Sequence, residues 1–454
     1  MKTVAVILAA GQGTRMKSRL PKVLHEIAGK PLIWHSMRAV RQCTTETPVV
    51  IVGHGAPDVI ASIGDTARHV VQEPQLGTAH AVLQARAVLK PNSDVVLVVY
   101  ADMPLLRAET LRGLVEAQER GGAVMTLLTV RSGEPRGFGR IVRSDNGRVL
   151  RIVEEGDASP EERNIGELNV GAYAFAAGWL WDALDRVPRN ARKGEFYLTD
   201  AVELAVREGS SVEAVELPDA QEAIGINTRV HLAEVEEVLR RRINRQHMLD
   251  GVTFIDPGTT YVHAEVVIGR DTILMPNTHL IGATTVGERS RIGPNTVIID
   301  SKIGSACTIQ SSFLEGAILE DDVHIGPFAR LRRGARLMKG VHMGNFGEVK
   351  DSTLGPGVKV GHFSYIGDAK IGANTNVGAG TITCNFDGEM KNETEIGEDV
   401  FIGSDTMLVA PIRIGDRART GAGSVVTKDV PPDTLVVGMP ARAVRKLTKK
   451  PRKG

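Results

Sequence analysis

The stretch VVIGRDTILMPNTHLIGATTVGERSRIGPNTVIID, residues 266–300, places an aliphatic side chain at every sixth position: Ile268, Leu274, Leu280, Val286, Ile292 and Ile298. The spacing returns at Ile402, Leu408, Ile414, Thr420 and Val426, and glycine follows the aliphatic residue at Ile292, Ile303, Ile325, Ile366, Ile402 and Ile414. A period of six suits neither an amphipathic helix nor a plain hairpin. It suits a parallel β-helix, in which each hexapeptide is one short strand and a turn. The aliphatic side chain points inward and the small residue after it allows the corner. Three hexapeptides close one coil in the left-handed form, so residues 252–437 predict roughly ten coils. The rhythm breaks over Asn345–Leu354 and over Thr383–Glu395 (TCNFDGEMKNETE). Insertions into a solenoid become loops on one face, and that face often binds.

Upstream of the repeat the period changes. Residues 228–249, TRVHLAEVEEVLRRRINRQHML, predict one long helix with Leu232, Val235, Leu239 and Ile243 in a stripe, ended by Asp250-Gly251. Before it, the apolar runs VAVILAA, TPVVIVG, DVVLVVYAD, AVMTLLTV and VGAYAFAA alternate with helical stretches such as GTAHAVLQARAVL and AETLRGLVEAQER. That alternation predicts an α/β domain around a mostly parallel, buried sheet. The expected organisation is therefore an α/β, Rossmann-like domain over 1–227, a helical linker over 228–250, and a left-handed β-helix with a basic tail over 251–454.

Bulk properties narrow the function classes. The 454 residues exceed what a single core supports. A net charge of +1 supplies no global field toward nucleic acid or membrane. The one basic run, RAVRKLTKKPRKG at 442–454, reads as a frayed, solvated end. The first apolar run is too short for a signal peptide, and nothing approaches the ~20 apolar residues of a membrane span. Cys43, Cys307 and Cys384 are few and far apart, as in a protein with reduced thiols in a cytoplasm.

The chain opens with the strand Val4–Ala10, then Gly-Gln-Gly-Thr-Arg, then Pro21-Lys22. This loop lacks the Gly-Lys-Ser/Thr ending of a Walker loop and the third glycine of a dinucleotide fingerprint. What remains is a backbone cradle for phosphate with Arg15 and Lys22 nearby; alone, it is equally a plain glycine turn.

LAAGQGTRM followed by PKVL resembles the signature of the nucleotide-sugar pyrophosphorylases. The likeness continues through QLGTAHAV (75–82), YAD (100–102), GFGRIV (137–142), IVEE (152–155), ELNVG (167–171) and GIN (225–227). Taken in order, the set resembles the bacterial bifunctional family that joins N-acetylglucosamine-1-phosphate uridyltransferase to glucosamine-1-phosphate N-acetyltransferase. The resemblance implies UTP and sugar contacts at Leu8, Ala9, Ala10, Gly11, Lys22, Gln72, Gly77, Thr78, Tyr100, Ala101, Gly139, Glu154, Asn169 and Asn227. It implies Mg²⁺ ligation by Asp102 and Asn227, oxygen donors of the kind this ion prefers. Arg15 would stabilise charge on the transferring phosphoryl group and Lys22 would hold an α-phosphate. The family tripeptide is often Tyr-Gly-Asp, so the methyl of Ala101 is expected to shift the loop slightly.

The second half carries the same resemblance. GPFARLRRG contains Arg332, NFGEVKDSTLG contains Glu348 and Lys350, VGHFSYIGDA contains His362 and Tyr365, and NTNVGAGTITCNFDG contains Asn376, Ala379, Asn385 and Phe386. The resemblance implies His362 as general base toward the amine of glucosamine 1-phosphate, with Glu348 supporting the site. Arg332, Lys350, Tyr365 and Asn376 would hold the sugar phosphate. Ala379, Ser404, Ala422 and the Asn385-Phe386 loop would line an acetyl-CoA groove, with a backbone N–H near Ala379 at the oxyanion. Family members usually have Asn-Tyr where this chain has Asn385-Phe386, so a packing role is expected there without the hydroxyl. A CoA-contacting arginine aligns with Met439, leaving Arg442 or Arg445 as substitutes. The family also implies a homotrimer, small-molecule partners, and a product that feeds peptidoglycan and lipopolysaccharide synthesis. Two alternatives stand beside it: a single-function nucleotidyltransferase with a structural β-helix stalk, and a regulatory subunit of translation-factor type without sugar chemistry. The presence of Arg15, Lys22 and Asp102 argues against the second, and Glu154, Asn169 and His362 against the first.

Overall fold

A computed structural model describes residues 1–90 and 93–446. Two units divide within the long helix, Met1–Leu239 and Arg240 onward.

The first unit is built on a sheet whose central strands are apolar on both faces. Thr3–Leu8 pairs in parallel with Val49–Val52 on one side and Val95–Tyr100 on the other, and Val49–Val52 pairs with Arg68–Val71. Every residue of Thr3–Leu8 and of Val49–Val52 is buried, because helices cover both sides. Leu32–Arg41 and Ala108–Gly121 pack on one face, and Thr78–Gln84 on the other. The expected sheet is mostly parallel, and here one correction applies. Glu167–Ala176 runs antiparallel between Val95–Tyr100 and Met125–Arg131. It also meets the hairpin Arg140–Arg143/Val149–Val153. Its side chains are almost all buried on both faces, which leaves no alternation to record strand direction, so its sequence could not distinguish the two orientations.

Arg229–Leu249 forms the long helix. Val235 is fully buried, and Leu232, Val238 and Leu239 join it in a small core of the first unit, while Ile243 packs on the core of the second. The expected boundaries at 227/228 and 250/251 bracket this helix.

The second unit is the parallel β-helix of the left-handed hexapeptide class. Strands of two to five residues stack into three parallel sheets, one per side of the coil. Ten strands from Thr253–Phe254 to Arg419–Thr420 form one side. The hexad residues are inside: Leu274, Leu280, Ile292 and Ile298 are fully buried and belong to one continuous core. Threonine and serine fill neighbouring inward positions and bond to corner carbonyls, as Thr272 Oγ1 does to Gly287 O at 2.8 Å. Corner residues adopt left-handed backbone, and Asp and Asn recur there: Asp271, Asn277, Asn295 and Asp300 all have positive φ. Glycine after the aliphatic residue is a packing requirement: a Cβ on Gly378 would lie 2.6 Å from the backbone N of Ser404 in the next coil.

The rhythm is less regular than expected. Coils shorten between Val286 and Ile325: Val286 pairs with Ile303 and Ile309 with Ile325, seventeen and sixteen residues on. The break at Asn345–Leu354 is of this kind, a coil one residue short (Met343 pairs with Val360), and is no inserted loop. The second break is an insertion: Val377 pairs with Ile402, and the extra residues leave the coil as a loop closed by the Phe386–Lys391 bridge. The expected frayed tail begins as a strand, Ala441–Lys446, antiparallel to Thr434–Gly438. The rest of it, 447–454, lies outside the described residues. Among the described residues no helix is long and apolar enough to cross a membrane.

Candidate functional site

In the first unit the carboxyl ends of Thr3–Leu8, Arg68–Val71 and Val95–Tyr100 point the same way, and a cleft of about 560 Å³ opens beyond them. Ligands in open α/β sheets bind at this edge. Leu8, Ala9, Ala10 and Gly11, with Lys22, Gln72, Gly77, Thr78 and Tyr100, line it. A smaller cleft of about 170 Å³ adjoins, lined by Gly139, Glu154, Asn169 and Asn227 among others. Tyr100 and Asp102 line both clefts, so the sheet edge is one site with two compartments. Ala101 lines neither. It is fully buried, and its methyl packs in the core beneath the cleft, so the expected shift of the loop has no cause here.

The junction of the compartments concentrates charge. Lys22 Nζ donates to Asp102 Oδ2 and, at 3.4 Å, to Asn227 Oδ1, which also accepts from Arg15 at 2.9 Å. Both side chains of the Lys22–Asp102 pair are mostly withdrawn from solvent. Asn227 starts the turn into the long helix and is steadied there: its backbone N–H donates to His231 Nδ1 at 3.3 Å. An ammonium therefore sits where the Asp102 carboxylate and the Asn227 carbonyl oxygen converge. That donor set suits a small hard cation that keeps few protein oxygens and completes its shell with water and phosphate.

In the smaller compartment Glu154 accepts from Thr199 Oγ1 at 2.9 Å, and burial pushes its pKa up. Asn169 is buried; its backbone N–H donates to Gly139 O at 2.8 Å and its Nδ2 to Tyr173 Oη at 2.7 Å. Burial, with the Glu154 carboxylate nearby, pushes Tyr100 above the ordinary phenol range. Thr199 and Tyr173 complete these contacts and were not singled out in the sequence. Thr199 lies in YLTD, far from the glycine motifs, and Tyr173 sits inside an apolar run, so neither carries a local signal.

In the second unit the expected residues fall on one corner and one face. Asn345, His362, Ala379, Ser404 and Ala422 each stand two residues after the inward residue of successive strands on one side. They form a column along the corner. His362 Nδ1 and Asn345 Oδ1 are 3.2 Å apart. An amide oxygen only accepts, so Nδ1–H is the donor in this contact and Nε2 takes no part in it. Asn345 is the partner that sequence reading passed over, noted only as the start of a broken hexad. Glu348 and Tyr365 are outward neighbours on the adjoining face, in paired strands. Arg332 and Lys350 stand at its far edge; Arg332 donates to Glu348 Oε1 at 3.2 Å and Lys350 pairs with Asp351 at 3.0 Å. Asn376 lies on the other face of the same corner. Asn385 bonds to Asp368 at the base of the inserted loop, and the exposed Phe386 ring lies under the Lys391 ammonium at 4.5 Å. Met439, Arg442 and Arg445 are exposed around the last antiparallel pair, and Met439 lies one residue beyond the line of the column. A larger groove of about 980 Å³ runs along another corner, past Gly372, Gly397 and Gly415, and contains none of the expected residues.

Comparison with known proteins agrees with both halves. Residues 5–197 match the MobA-like NTP transferase domain, and residues 265–300 and 393–428 match the bacterial transferase hexapeptide (six repeats). The bifunctional protein GlmU of Syntrophomonas wolfei is 49% identical over 440 residues, which cover 96% of this chain and 97% of that one. The GlmU protein of Heliobacterium modesticaldum is 48% identical over 437 residues (96% and 95%), and that of a Geobacillus species 47% over 446 (98% and 97%). With a nucleotidyltransferase half, a hexapeptide-transferase half and near full-length identity of this order, the chain belongs to the family of bifunctional GlmU proteins.

Proposed function

We propose that the second unit transfers the acetyl group of acetyl-CoA to glucosamine 1-phosphate, and that the first unit then transfers a uridylyl group from UTP to the N-acetylglucosamine 1-phosphate formed, releasing pyrophosphate. The observation that carries the reading is the shared wall of the first unit. Tyr100 and Asp102 face both a nucleotide-sized cleft and a smaller polar one, as a two-substrate transfer requires.

In the larger compartment Leu8–Gly11, Gln72 and Gly77-Thr78 would hold the nucleotide. Gly139, Glu154 and Asn169 would read the sugar hydroxyls and N-acetyl group. A sugar-phosphate oxygen attacks the α-phosphorus, the bond to the bridging oxygen breaks, and pyrophosphate leaves. Lys22 and Arg15 place positive charge beside that centre, and no covalent enzyme intermediate is needed. Asp102 and Asn227 would hold Mg²⁺, which supplies neutralisation of phosphate charge when bound.

In the second unit the substrate amine attacks the thioester carbonyl, the C–S bond breaks and the CoA thiol departs. His362 Nε2 accepts the amine proton, with Asn345 holding the ring in the required tautomer. Arg332 and Lys350 would bind the phosphate at the far edge of the face, with Tyr365 and Asn376 toward the sugar. The column from His362 through Ala379 and Ser404 to Ala422 rises three coil steps of ~4.8 Å, an extended track of ~14 Å for the pantetheine arm. A column of exposed phenylalanines on the same corner, Phe328, Phe346 and Phe363, supports assembly into a homotrimer. A cytoplasmic location fits the substrates.

The test is thiol release from acetyl-CoA on addition of glucosamine 1-phosphate, followed by pyrophosphate release on addition of UTP and Mg²⁺. Absence of thiol release would reduce the β-helix to a scaffold. Pyrophosphate release with glucose 1-phosphate as readily as with the N-acetylated sugar would contradict the assigned substrate.

A further inference from the structure

Asn169 and Tyr173 belong to the same strand and are four residues apart. In a regular strand such residues stand ~13 Å apart on one face, too far for their side chains to bond. Here Asn169 Nδ2 donates to Tyr173 Oη at 2.7 Å. The strand makes this possible with a bulge: Asn169 faces Thr129 and Tyr173 faces Leu127, so four residues oppose two. Inside the bulge Gly171 N–H donates to Asn169 Oδ1 at 3.2 Å. Gly171 has φ +84, and a Cβ there would lie 3.0 Å from the Tyr100 ring. The Tyr173 side chain is fully buried.

We propose that Tyr173 is a positioning residue for sugar recognition: its buried hydroxyl, brought to Asn169 by the bulge, holds the Asn169 side chain in place, while Gly171 N–H sets which way its amide faces the smaller compartment. With one N–H held by Tyr173 and one lone pair by Gly171, the second N–H and second lone pair of that amide are left for the ligand. A free amide would turn over and present donor and acceptor interchanged. The inference rests on the smaller compartment being the sugar site.

The test is Tyr173→Phe, which deletes one oxygen and keeps the ring in its buried place. The KM for N-acetylglucosamine 1-phosphate should rise ~10-fold, the loss of one buried hydrogen bond, with kcat within about twofold. Preference over glucose 1-phosphate should fall in step, and thiol release by the β-helix unit of the same chain should not change. A merely structural role is separated by the double variant: in an Asn169→Ala background, Tyr173→Phe should add less than about twofold. Unchanged KM and preference in Tyr173→Phe, or effects that multiply in the double variant, would overturn the proposal. If the wild-type chain itself transfers no uridylyl group to the N-acetylated sugar, the site assignment fails first, a different and recognisable outcome.

Discussion

Asp200 opens the helix Asp200–Arg207 beside the smaller compartment. Burial, together with the carboxylates of Glu154, Glu203 and Asp157, pushes its pKa up from 3.8 to about 6. Proton counting sets the sign of the consequence. Below about pH 4 the carboxyl is protonated in both folded and unfolded chains, and its ionisation contributes nothing. From about pH 4 to about pH 6 the unfolded chain releases this proton while the folded chain keeps it, so stability falls as pH rises; above that the loss is constant. A rise of this size corresponds to at most ~3 kcal/mol, and partial solvent access lowers this to ~1–2 kcal/mol. Asp200→Asn removes the ionisation at nearly constant volume. It should stabilise the first unit by ~1–2 kcal/mol at pH 7.5 and by about a third of that at pH 4.5. Trp34, Trp179 and Trp181 are the three tryptophans of the chain and all lie in this unit, so their fluorescence during denaturant unfolding reports it separately from the β-helix. No gain at pH 7.5, or a gain of equal size at both pH values, would refute the linkage reasoning.

Three other outcomes follow from the geometry. Gly171→Ala forces a left-handed alanine whose Cβ meets the Tyr100 ring at 3.0 Å, and should cost the first unit ~2–3 kcal/mol in the same fluorescence assay while raising the KM for UTP. Asn345→Ala frees the His362 ring, and should lower kcat for acetyl transfer ~10- to 100-fold while leaving pyrophosphate release unchanged. Chelation with EDTA should abolish pyrophosphate release, restored by Mg²⁺, without affecting thiol release.

The β-helix was legible from its period because a hexad demands an inward aliphatic residue, which Leu274 to Ile298 supply at every step, with glycine after Val286 and Ile292. The loop at Phe386 was legible as a break because it adds residues to a coil. The break at Asn345 was misread because shortening a coil by one residue disturbs the hexad as an insertion does, though only the insertion leaves the coil. In the first unit the glycine loop and Asp102 announced the larger compartment, since both sit at strand ends. Glu167–Ala176 did not announce its direction or its bulge. Its side chains are buried on both faces, which removes the alternation that would have exposed a register shift. Tyr173 therefore read as core, and only the folded strand shows its hydroxyl reaching Asn169. Ala101 shows the opposite error: a departure from the family tripeptide drew attention to a methyl that packs away from the cleft.

The central claim is that one chain holds two independent active sites, one centred on Asp102 and the other on His362. Asp102→Ala and His362→Ala test it in a crossed assay of pyrophosphate release and thiol release on the same preparations. Asp102→Ala should lower pyrophosphate release at least ~100-fold and leave thiol release within about twofold, and His362→Ala should do the reverse. Loss of both activities from either substitution, in protein with unchanged circular dichroism and hydrodynamic size, would contradict it.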